Sequence, residues 1–412
     1  MYFKKYIERL LPVLLFSILI AISCSKDEKQ QQTKYFVSKE LLTSYKESYI
    51  VNLLDAASLL LGINNDLKPF VQSGADLYKI VYKTTINGQK INASGLVCVP
   101  NEPGDYPVLS FQNGTNTLHS NAPSVLPSDY GFQIVEAVAS MGYIVVIADY
   151  PGFGESSQIP HPYLVAEPTV RSLVDMLYSV KEMDETELPD ITEKNEYYLI
   201  GYSQGGWATM QLHKALELQY QADFLLKGTC AGAGPYNIYL LMQKILGQET
   251  FPEPYYIAYV IDGYKSYDQF TNPISDLLNE PYASRVPGLF NGNLNAGQIN
   301  AQLTTSIKDL VNNDFLTGFA SSSKYAPVKD AMLANSIAPW HTNVPLLLIH
   351  GSADTHVDPS ATENFYTGML QAGTPPGIIQ KIIIPGADHS EGVVPALLEG
   401  FLFLNNIKKS NP

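Results

Sequence analysis

The chain has 412 residues and a formal net charge of −14. A surface this acidic disfavours binding to nucleic acid or to anionic membranes and helps to keep the folded protein soluble. The length exceeds the usual size of one hydrophobic core, yet no repeat or low-complexity linker divides the sequence. We therefore expect one domain with an insertion rather than several independent domains.

The first 23 residues have the pattern of a signal peptide. Basic residues precede the apolar run 10–22, and the small residues before Cys24 are similar to the lipobox of bacterial lipoproteins. The run is short for a membrane span, which needs about 20 apolar residues. We predict cleavage before Cys24 and lipidation of its thiol, with an ordinary secretory signal as the alternative.

Residues 24–34 are predicted to be a flexible tether, because 25–34 are polar and lack periodicity. Residues 25–28 resemble an acidic export signal of surface-exposed bacterial lipoproteins. We expect an exported bacterial lipoprotein of the outer membrane, held by its lipid anchor and exposed at the cell surface. The sequence does not show which leaflet of the outer membrane holds the anchor.

The body of the chain alternates strand-like and helix-like segments. Residues 38–61 predict a leading amphipathic helical region, and segments 77–86 and 90–99 flank Asn87-Gly88, a strong hairpin signal. The later segments alternate as βαβ units require: strands at 107–112, 143–149, 196–200, 226–231, 345–349 and 378–384, and helices at 128–141, 169–181, 207–219, 360–372 and 393–407. This order predicts an α/β class with a mostly parallel, eight-stranded sheet and helices on both faces.

Residues 235–340 contain no predicted strand of the main sheet, although connections usually span about 2 to 6 residues. We interpret this segment as a helical cap or lid inserted into a core formed by 35–234 and 341–412. Its aromatic run 251–259 either lines an acyl or aryl pocket or packs as the core of the cap itself.

Ser203 is the candidate nucleophile. It is the centre of the sequence Gly201-Tyr202-Ser203-Gln204-Gly205, between an apolar strand and a helix-like stretch. Small residues on both sides allow the sharp turn that exposes a serine hydroxyl at the edge of a sheet. Alone, this five-residue pattern is too common to assign a function.

Two later loops supply an acid and a base. Asp354 follows the buried strand 345–349, and His389 follows the strand 378–384. The order serine, acid, histidine differs from that of chymotrypsin-type and subtilisin-type enzymes. A neutral imidazole at His389 would accept the Ser203 proton, and the Asp354 carboxylate would orient that ring.

Several further residues are candidates around this centre. The backbone amides of Gln204 and Thr115 are predicted to stabilise an oxyanion, and Tyr202, Tyr150 and Phe153 to contact substrate. Tyr150 and Phe153 could instead serve only loop packing.

Competing assignments remain for the acid and for the other histidines. Asp358 or His356 could replace Asp354 as the partner of the base, and Asp388 could merely cap a turn. His350 is interpreted as the end of a buried strand, and a structural role is favoured for His119, His161, His213 and His341. The sequence lacks metal-binding and dinucleotide motifs, so no metal or cofactor is expected.

These motifs resemble those of the α/β-hydrolase superfamily, and they are most similar to bacterial members of the secretory lipase family. The likeness spans roughly residues 76–405 and is carried by segments 113–115, 121–124, 149–154 and 201–206 and by the loops of Asp354 and His389. The resemblance implies the α/β-hydrolase fold, a triad of Ser203, Asp354 and His389, and a helical cap after the sixth strand. One departure is Asn113, where such hydrolases often have histidine before the glycine.

The expected function is that of a serine esterase or lipase that forms an acyl-enzyme on a small-molecule or lipid ester. The alternatives are a serine peptidase of the prolyl-peptidase type and a surface-binding protein that retains the fold without catalysis. Only about 50 residues separate the tether from the first predicted strand, too few for the propeller domain of prolyl-peptidase relatives. The oligomeric state is not predicted.

Overall fold

Nine strands form a single sheet in the described part of the chain, which comprises residues 33–61, 67–188 and 190–410 of a computed structural model. The strands are β1 Phe36–Tyr45, β2 Ala75–Ile86, β3 Gln89–Pro100, β4 Gly104–Gln112, β5 Ile144–Ala148, β6 Ile191–Tyr202, β7 Leu225–Gly232, β8 Leu346–Gly351 and β9 Ile379–Ile384.

The strand order is β1-β2-β3-β5-β4-β6-β7-β8-β9. The first three strands pair antiparallel, β3 also pairs antiparallel with β5, and β4 to β9 run parallel to one another. The β2–β3 turn is Asn87-Gly88, with φ of 48° and 75°. Positive φ at both positions matches the right-handed twist of the two strands, as the sequence predicted.

Helices cover both faces of the sheet. They are α1 Glu47–Leu61, α2 Tyr130–Glu136, α3 Ala166–Glu187, α4 Gln204–Leu218, α5 Ile238–Leu246, α6 Tyr255–Ser266, α7 Tyr282–Leu289, α8 Ala296–Asn300, α9 Ile307–Leu310, α10 Asn313–Gly318, α11 Ala326–Asn335, α12 Ser360–Gln371 and α13 Val393–Ser410. Apolar residues of α1, α2 and α13 share one buried cluster with the sheet, and those of α3, α4 and α12 share the other. Two apolar layers therefore enclose the strands, and the predicted α/β class with a mostly parallel sheet is confirmed.

The beginning of the fold differs from the prediction. The sheet has nine strands rather than eight, because β1 occupies a segment that was predicted to be helical. This strand pairs only with β2 and most of its residues are exposed or half-buried, so its apolar residues do not alternate. The predicted helix is real only from Glu47 onward.

Seven helices, α5 to α11, lie between β7 and β8 in the described residues. Most of their buried apolar side chains join the cluster that also contains residues of α3 and α4, and Tyr255, Leu289 and Ile299 form a smaller cluster. The segment predicted as a cap thus packs on the sheet face that carries α4, the helix that follows Ser203.

The predicted signal peptide, Cys24 and all but the last two residues of the tether lie outside the described residues. Within the described ranges, no helix combines the length and apolar character needed to cross a membrane.

Candidate active site

Ser203 occupies a strained turn between β6 and α4. Its φ of 61° and ψ of −123° lie in a region that residues with a side chain rarely adopt. The Ser203 amide donates a hydrogen bond of 2.9 Å to the carbonyl of Gly232 in β7, which holds the turn in place. The strained backbone projects the hydroxyl away from the sheet, as a nucleophile elbow requires.

Glycine is required on both sides of this turn. A Cβ atom added at Gly205 would lie 1.9 Å from the carbonyl oxygen of Gln112, and one at Gly201 would lie 2.5 Å from the oxygen of Gly205. Both distances are far below contact, so only glycine lets the start of α4 approach the end of β4. This close approach places the loop after β4 next to Ser203.

The structure brings Ser203, His389 and Asp354 into one hydrogen-bonded chain. His389 Nε2 lies 2.9 Å from Ser203 Oγ, and His389 Nδ1 lies 2.6 Å from Asp354 Oδ2. Because an ionised carboxylate only accepts hydrogen bonds, Nδ1 carries the proton and Nε2 can accept the one on Ser203. All three residues are at most 8% exposed, so bulk water does not weaken these contacts.

Asp354 is held by three further groups in addition to His389. Its Oδ1 accepts hydrogen bonds from the amides of His356 and Val357, both at 2.9 Å, and its Oδ2 also accepts one from His350 Nε2 at 3.1 Å. Burial alone would raise the pKa of the Asp354 carboxyl, but the hydrogen bonds from His350 and His389 outweigh it and hold the pKa well below its usual range. The group therefore remains a carboxylate at neutral pH.

His350 was expected only to end a buried strand, and it also positions the acid. The imidazole is fully buried at the end of β8, and its Nδ1 accepts a hydrogen bond of 2.7 Å from the Thr362 hydroxyl. The proton therefore resides on Nε2, which donates to Asp354 and to the carbonyl of Val357. The four-residue spacing from His350 to Asp354 was the available signal for this role.

The backbone amides of Gln204 and Thr115 are the candidate donors to an oxyanion. Gln204 begins α4 directly after Ser203, and Thr115 lies in the loop after β4. Neither amide donates to an acceptor among the described residues, and the Thr115 hydroxyl lies 3.0 Å from that of Tyr163. The positions suit a pair of donors to a tetrahedral intermediate.

His161 supports Gln204 from the interior, which the sequence did not indicate. Burial lowers the pKa of His161 to about 4, so its ring is neutral. Its Nδ1 donates to the carbonyl of Pro151 at 2.8 Å, and its Nε2 accepts from the Gln204 side chain at 2.8 Å. The side chain of the residue after the nucleophile is thereby fixed.

Ser203 opens into an apolar cavity. The space measures about 490 Å³ including its mouth. Most of its lining is aliphatic or aromatic and comes from the segment between β7 and β8: Tyr163, Leu164, Ser203, Gln204, Pro235, Ile238, Leu241, Met242, Ile245, Tyr256, Ile257, Val260, His356 and Val357. Both interpretations of the aromatic run 251–259 hold in part, since Tyr256 and Ile257 line the cavity while Phe251 is fully buried.

The residues predicted to contact substrate, Tyr202, Tyr150 and Phe153, are not part of the lining of this cavity. The Tyr202 hydroxyl donates to the His389 carbonyl at 2.9 Å, and its ring packs 5.3 Å from that imidazole. The Tyr150 hydroxyl donates to the carbonyl of Asn113 at 3.2 Å, and Phe153 packs 5.0 Å from the ring of His161. The hydroxyls of Tyr202 and Tyr150 and the ring of Phe153 are thus in contact with protein groups around the site.

The alternative acids have other partners. Asp358 forms an ion pair of 2.5 Å with Lys244, and Asp388 Oδ1 accepts hydrogen bonds from the amides of Ser390 and Glu391. Asp388 therefore caps a turn, and neither carboxylate bonds to His389 in the described structure.

A larger apolar cavity lies elsewhere in the fold. It measures about 900 Å³ and is lined by residues of α1, α2 and α13 and of the sheet face beneath them. None of the predicted site residues belongs to its lining. Size alone would thus point to a cavity without these residues, whereas Ser203 lines the smaller cavity.

Comparisons with known proteins agree with this architecture. The family model described as serine aminopeptidase, S33, matches residues 129–374, a span that contains Ser203 and Asp354. A search of curated proteins gave no match.

Three solved structures illustrate the likeness of the fold. A protein of Legionella pneumophila described as a hydrolase has a TM-score of 0.81 at 24% identity, over 92% of this chain and 100% of its own. The rice cell wall degrading esterase LipA of Xanthomonas oryzae has a TM-score of 0.74 at 22% identity, over 88% and 94%. Lipase A of Candida antarctica in its closed state has a TM-score of 0.66 at 15% identity, over 94% and 85%.

At these identities the three structures establish the fold, and the family model, which matches more than half of the chain, establishes the family. The predicted membership of the α/β-hydrolase superfamily is confirmed, and the chain belongs to the hydrolase family described as serine aminopeptidase, S33.

Proposed function

We propose that this protein is a serine carboxylic ester hydrolase that acts through an acyl-enzyme. The observation that carries the proposal is the chain of hydrogen bonds from Ser203 through His389 to Asp354, at 2.9 and 2.6 Å, beside an apolar cavity. An apolar cavity of this kind suits the hydrocarbon part of an acyl group.

The proposed reaction has two halves. Ser203 Oγ attacks the ester carbonyl carbon while its proton moves to His389 Nε2, and the amides of Gln204 and Thr115 stabilise the oxyanion. The bond to the alcohol oxygen then breaks, and the imidazolium returns the proton to the departing alkoxide. Water repeats the sequence on the acyl-enzyme, which releases the acid and restores the Ser203 hydroxyl.

Peptide hydrolysis is the second candidate, because the family description names an aminopeptidase. An aminopeptidase must bind the protonated amine at the start of its substrate, which calls for a carboxylate. Among the described residues, the lining of the cavity beside Ser203 contains no aspartate or glutamate. The lining therefore favours an uncharged acyl group.

The test combines a covalent probe with matched substrates. A fluorophosphonate should label the wild type and fail to label Ser203→Ala, and the wild type should cleave p-nitrophenyl acyl esters but not peptide amides. Labelling that persists in Ser203→Ala would contradict the assignment of the nucleophile. Cleavage of peptide amides at rates equal to those of esters would favour the peptidase. A wild type that reacts with neither probe nor ester would indicate a fold retained without catalysis.

We also propose that Cys24 carries the lipid that anchors the protein to the outer membrane. The proposal is supported by the signal-like segment before Cys24 and by the polar residues that follow it.

A further inference from the structure

The side of the site next to His389 contains a second imidazole, that of His356. The two rings lie 4.9 Å apart, and His356 also lines the cavity that Ser203 opens into. Its backbone is fixed, because the His356 amide donates to Asp354 Oδ1 at 2.9 Å. His389 returns the proton to the departing alkoxide, so the nearness of His356 to that ring places it close to the position of the alcohol oxygen.

Glu253 faces His356 from the segment between β7 and β8. Its Oε2 accepts a hydrogen bond of 2.6 Å from the Asn300 side chain, and Asn300 Oδ1 accepts one of 3.0 Å from the Tyr255 amide. The carboxylate is therefore held in place by a neighbour that is itself fixed. Its Oε1 accepts no hydrogen bond among the described residues and lies 4.0 Å from His356 Nε2.

This separation is too long for a direct hydrogen bond but fits one bridging oxygen atom. An oxygen about 2.8 Å from both atoms would subtend an angle of roughly 90°, within the range that a hydroxyl group accommodates. Both side chains remain accessible, at 22% for His356 and 28% for Glu253. A ligand atom can therefore enter the gap.

The protonation of His356 determines which ligand group fits. Burial and the neighbouring His389 lower the pKa of the His356 imidazole, so the ring is neutral. Its Nδ1 is buried and has no hydrogen-bond partner among the described residues. A buried N–H without an acceptor costs more free energy than a buried acceptor nitrogen without a donor, so Nδ1 does not carry the proton. The proton then resides on Nε2, opposite the Glu253 carboxylate, and the gap offers one donor and one acceptor.

We propose that Glu253 and His356 form a subsite for a hydroxyl group on the alcohol part of the ester, so that the substrates are esters of polyols or sugars. A hydroxyl donates to Glu253 Oε1 and accepts from His356 Nε2–H at once. An ammonium group fits less well, because it only donates and would face the Nε2 proton. The inference rests on the proposed ester hydrolase function.

The experiment compares two butyrate esters that differ in the hydroxyl groups of their alcohol: glycerol 1-monobutyrate and propyl butyrate. Release of butyric acid, followed by titration, gives kcat/KM for each. The wild type should prefer the glycerol ester by roughly tenfold to a hundredfold, the range expected for a hydrogen bond to a charged group. The ratio of the two kcat/KM values should fall towards one in Glu253→Gln and in His356→Phe.

A matched control separates the subsite from a general effect of charge. Glu249→Gln removes an exposed carboxylate from the same segment and should leave the ratio at its wild-type value. A wild-type ratio near one, or a ratio that survives both subsite variants, would overturn the proposal. So would hydrolysis of alanine p-nitroanilide that is lost in Glu253→Gln, since Glu253 would then bind an amine.

Failure of the inference and failure of the proposed function give different results. If both esters are hydrolysed at equal rates and the fluorophosphonate labels Ser203, the ester hydrolase stands and the hydroxyl subsite is wrong. If neither ester is hydrolysed and no label is incorporated, the ester hydrolase is wrong and the subsite with it.

Discussion

Glu136 carries the clearest prediction about stability. It ends α2 and its side chain is 1% exposed. Neither of its carboxyl oxygens has a hydrogen bond of normal geometry among the described residues. Burial raises the pKa of Glu136 from 4.5 to about 8; the Tyr45 hydroxyl opposes this shift, and the charge of Asp129 adds to it.

The direction of the pH effect follows from linkage. A carboxyl whose pKa is higher in the folded state binds its proton more tightly there, so its stabilising effect is complete below the unfolded-state pKa near 4.5. That effect is lost as the pH rises through about 8. At about 1.4 kcal/mol per pH unit, the difference between the two pKa values corresponds to a loss of stability of at most roughly 5 kcal/mol. Relaxation and entry of water reduce the expected loss to about 2 to 4 kcal/mol.

Glu136→Gln should therefore raise the free energy of unfolding by about 2 to 4 kcal/mol at pH 8.5 and leave it nearly unchanged at pH 4.5. Urea unfolding at both pH values, followed by circular dichroism, measures the difference. Glu102→Gln, at an exposed glutamate, is the control and should show no pH-dependent change. An equal effect of Glu136→Gln at the two pH values would refute the reasoning, because the carboxyl would then titrate alike in the folded and unfolded chains.

Three further predictions concern the site and the anchor. Asp354→Asn should lower kcat for p-nitrophenyl butyrate by roughly 10³- to 10⁴-fold, because His389 loses the carboxylate that orients it. The control Asp358→Asn should lower kcat by less than tenfold. Equal losses in the two variants would show that Asp354 is not the specific partner of His389. Met242→Trp should reduce the volume of the cavity beside Ser203. In a series of p-nitrophenyl esters, kcat/KM should therefore fall more for the decanoyl ester than for the butyryl ester. An equal fall for both esters would show that this cavity does not bind the acyl chain. Cys24→Ser should move the protein from the membrane fraction to the soluble fraction of the cell envelope, as detected by immunoblotting, and an unchanged distribution would rule out lipid anchoring at this residue.

The succession of parallel strands along the chain could be predicted from the sequence, whereas the edge strand β1 could not. Strands β4 to β8 each contain a buried run, and helices separate the successive strands up to β9, a pattern that local sequence reveals. In β1, by contrast, Leu41 is 52% exposed and the strand pairs with only one other strand. The apolar residues of β1 continue at helical spacing into α1, so the sequence pattern predicted one helical region where the structure has a strand followed by a helix.

The same distinction applies to the site. Ser203, Asp354 and His389 follow β6, β8 and β9, and the carboxyl ends of parallel strands meet at one edge of a sheet, so their meeting could be foreseen. The contact of His161 with Gln204 and the approach of His356 to Glu253 cross 43 and 103 positions of the sequence. No local pattern specifies such pairs, because they depend on how segments that are distant in the sequence pack against each other.

A column of three stacked rings ties that segment to the loop after β4. Tyr163 stacks on Tyr259 at 4.2 Å, Tyr259 stacks on Phe290 at 4.2 Å, and the Tyr259 hydroxyl donates to the carbonyl of Asn116 at 3.1 Å. Tyr163 also lies within hydrogen-bonding distance of Thr115. Swinging the whole segment outward would separate Tyr259 from Tyr163, at about 0.5 to 1.5 kcal/mol beyond the buried area, and would break the hydrogen bond to Asn116, the residue after Thr115. A gate that leaves Tyr259 in place would therefore admit substrate without breaking the contacts that join this segment to the loop of Thr115.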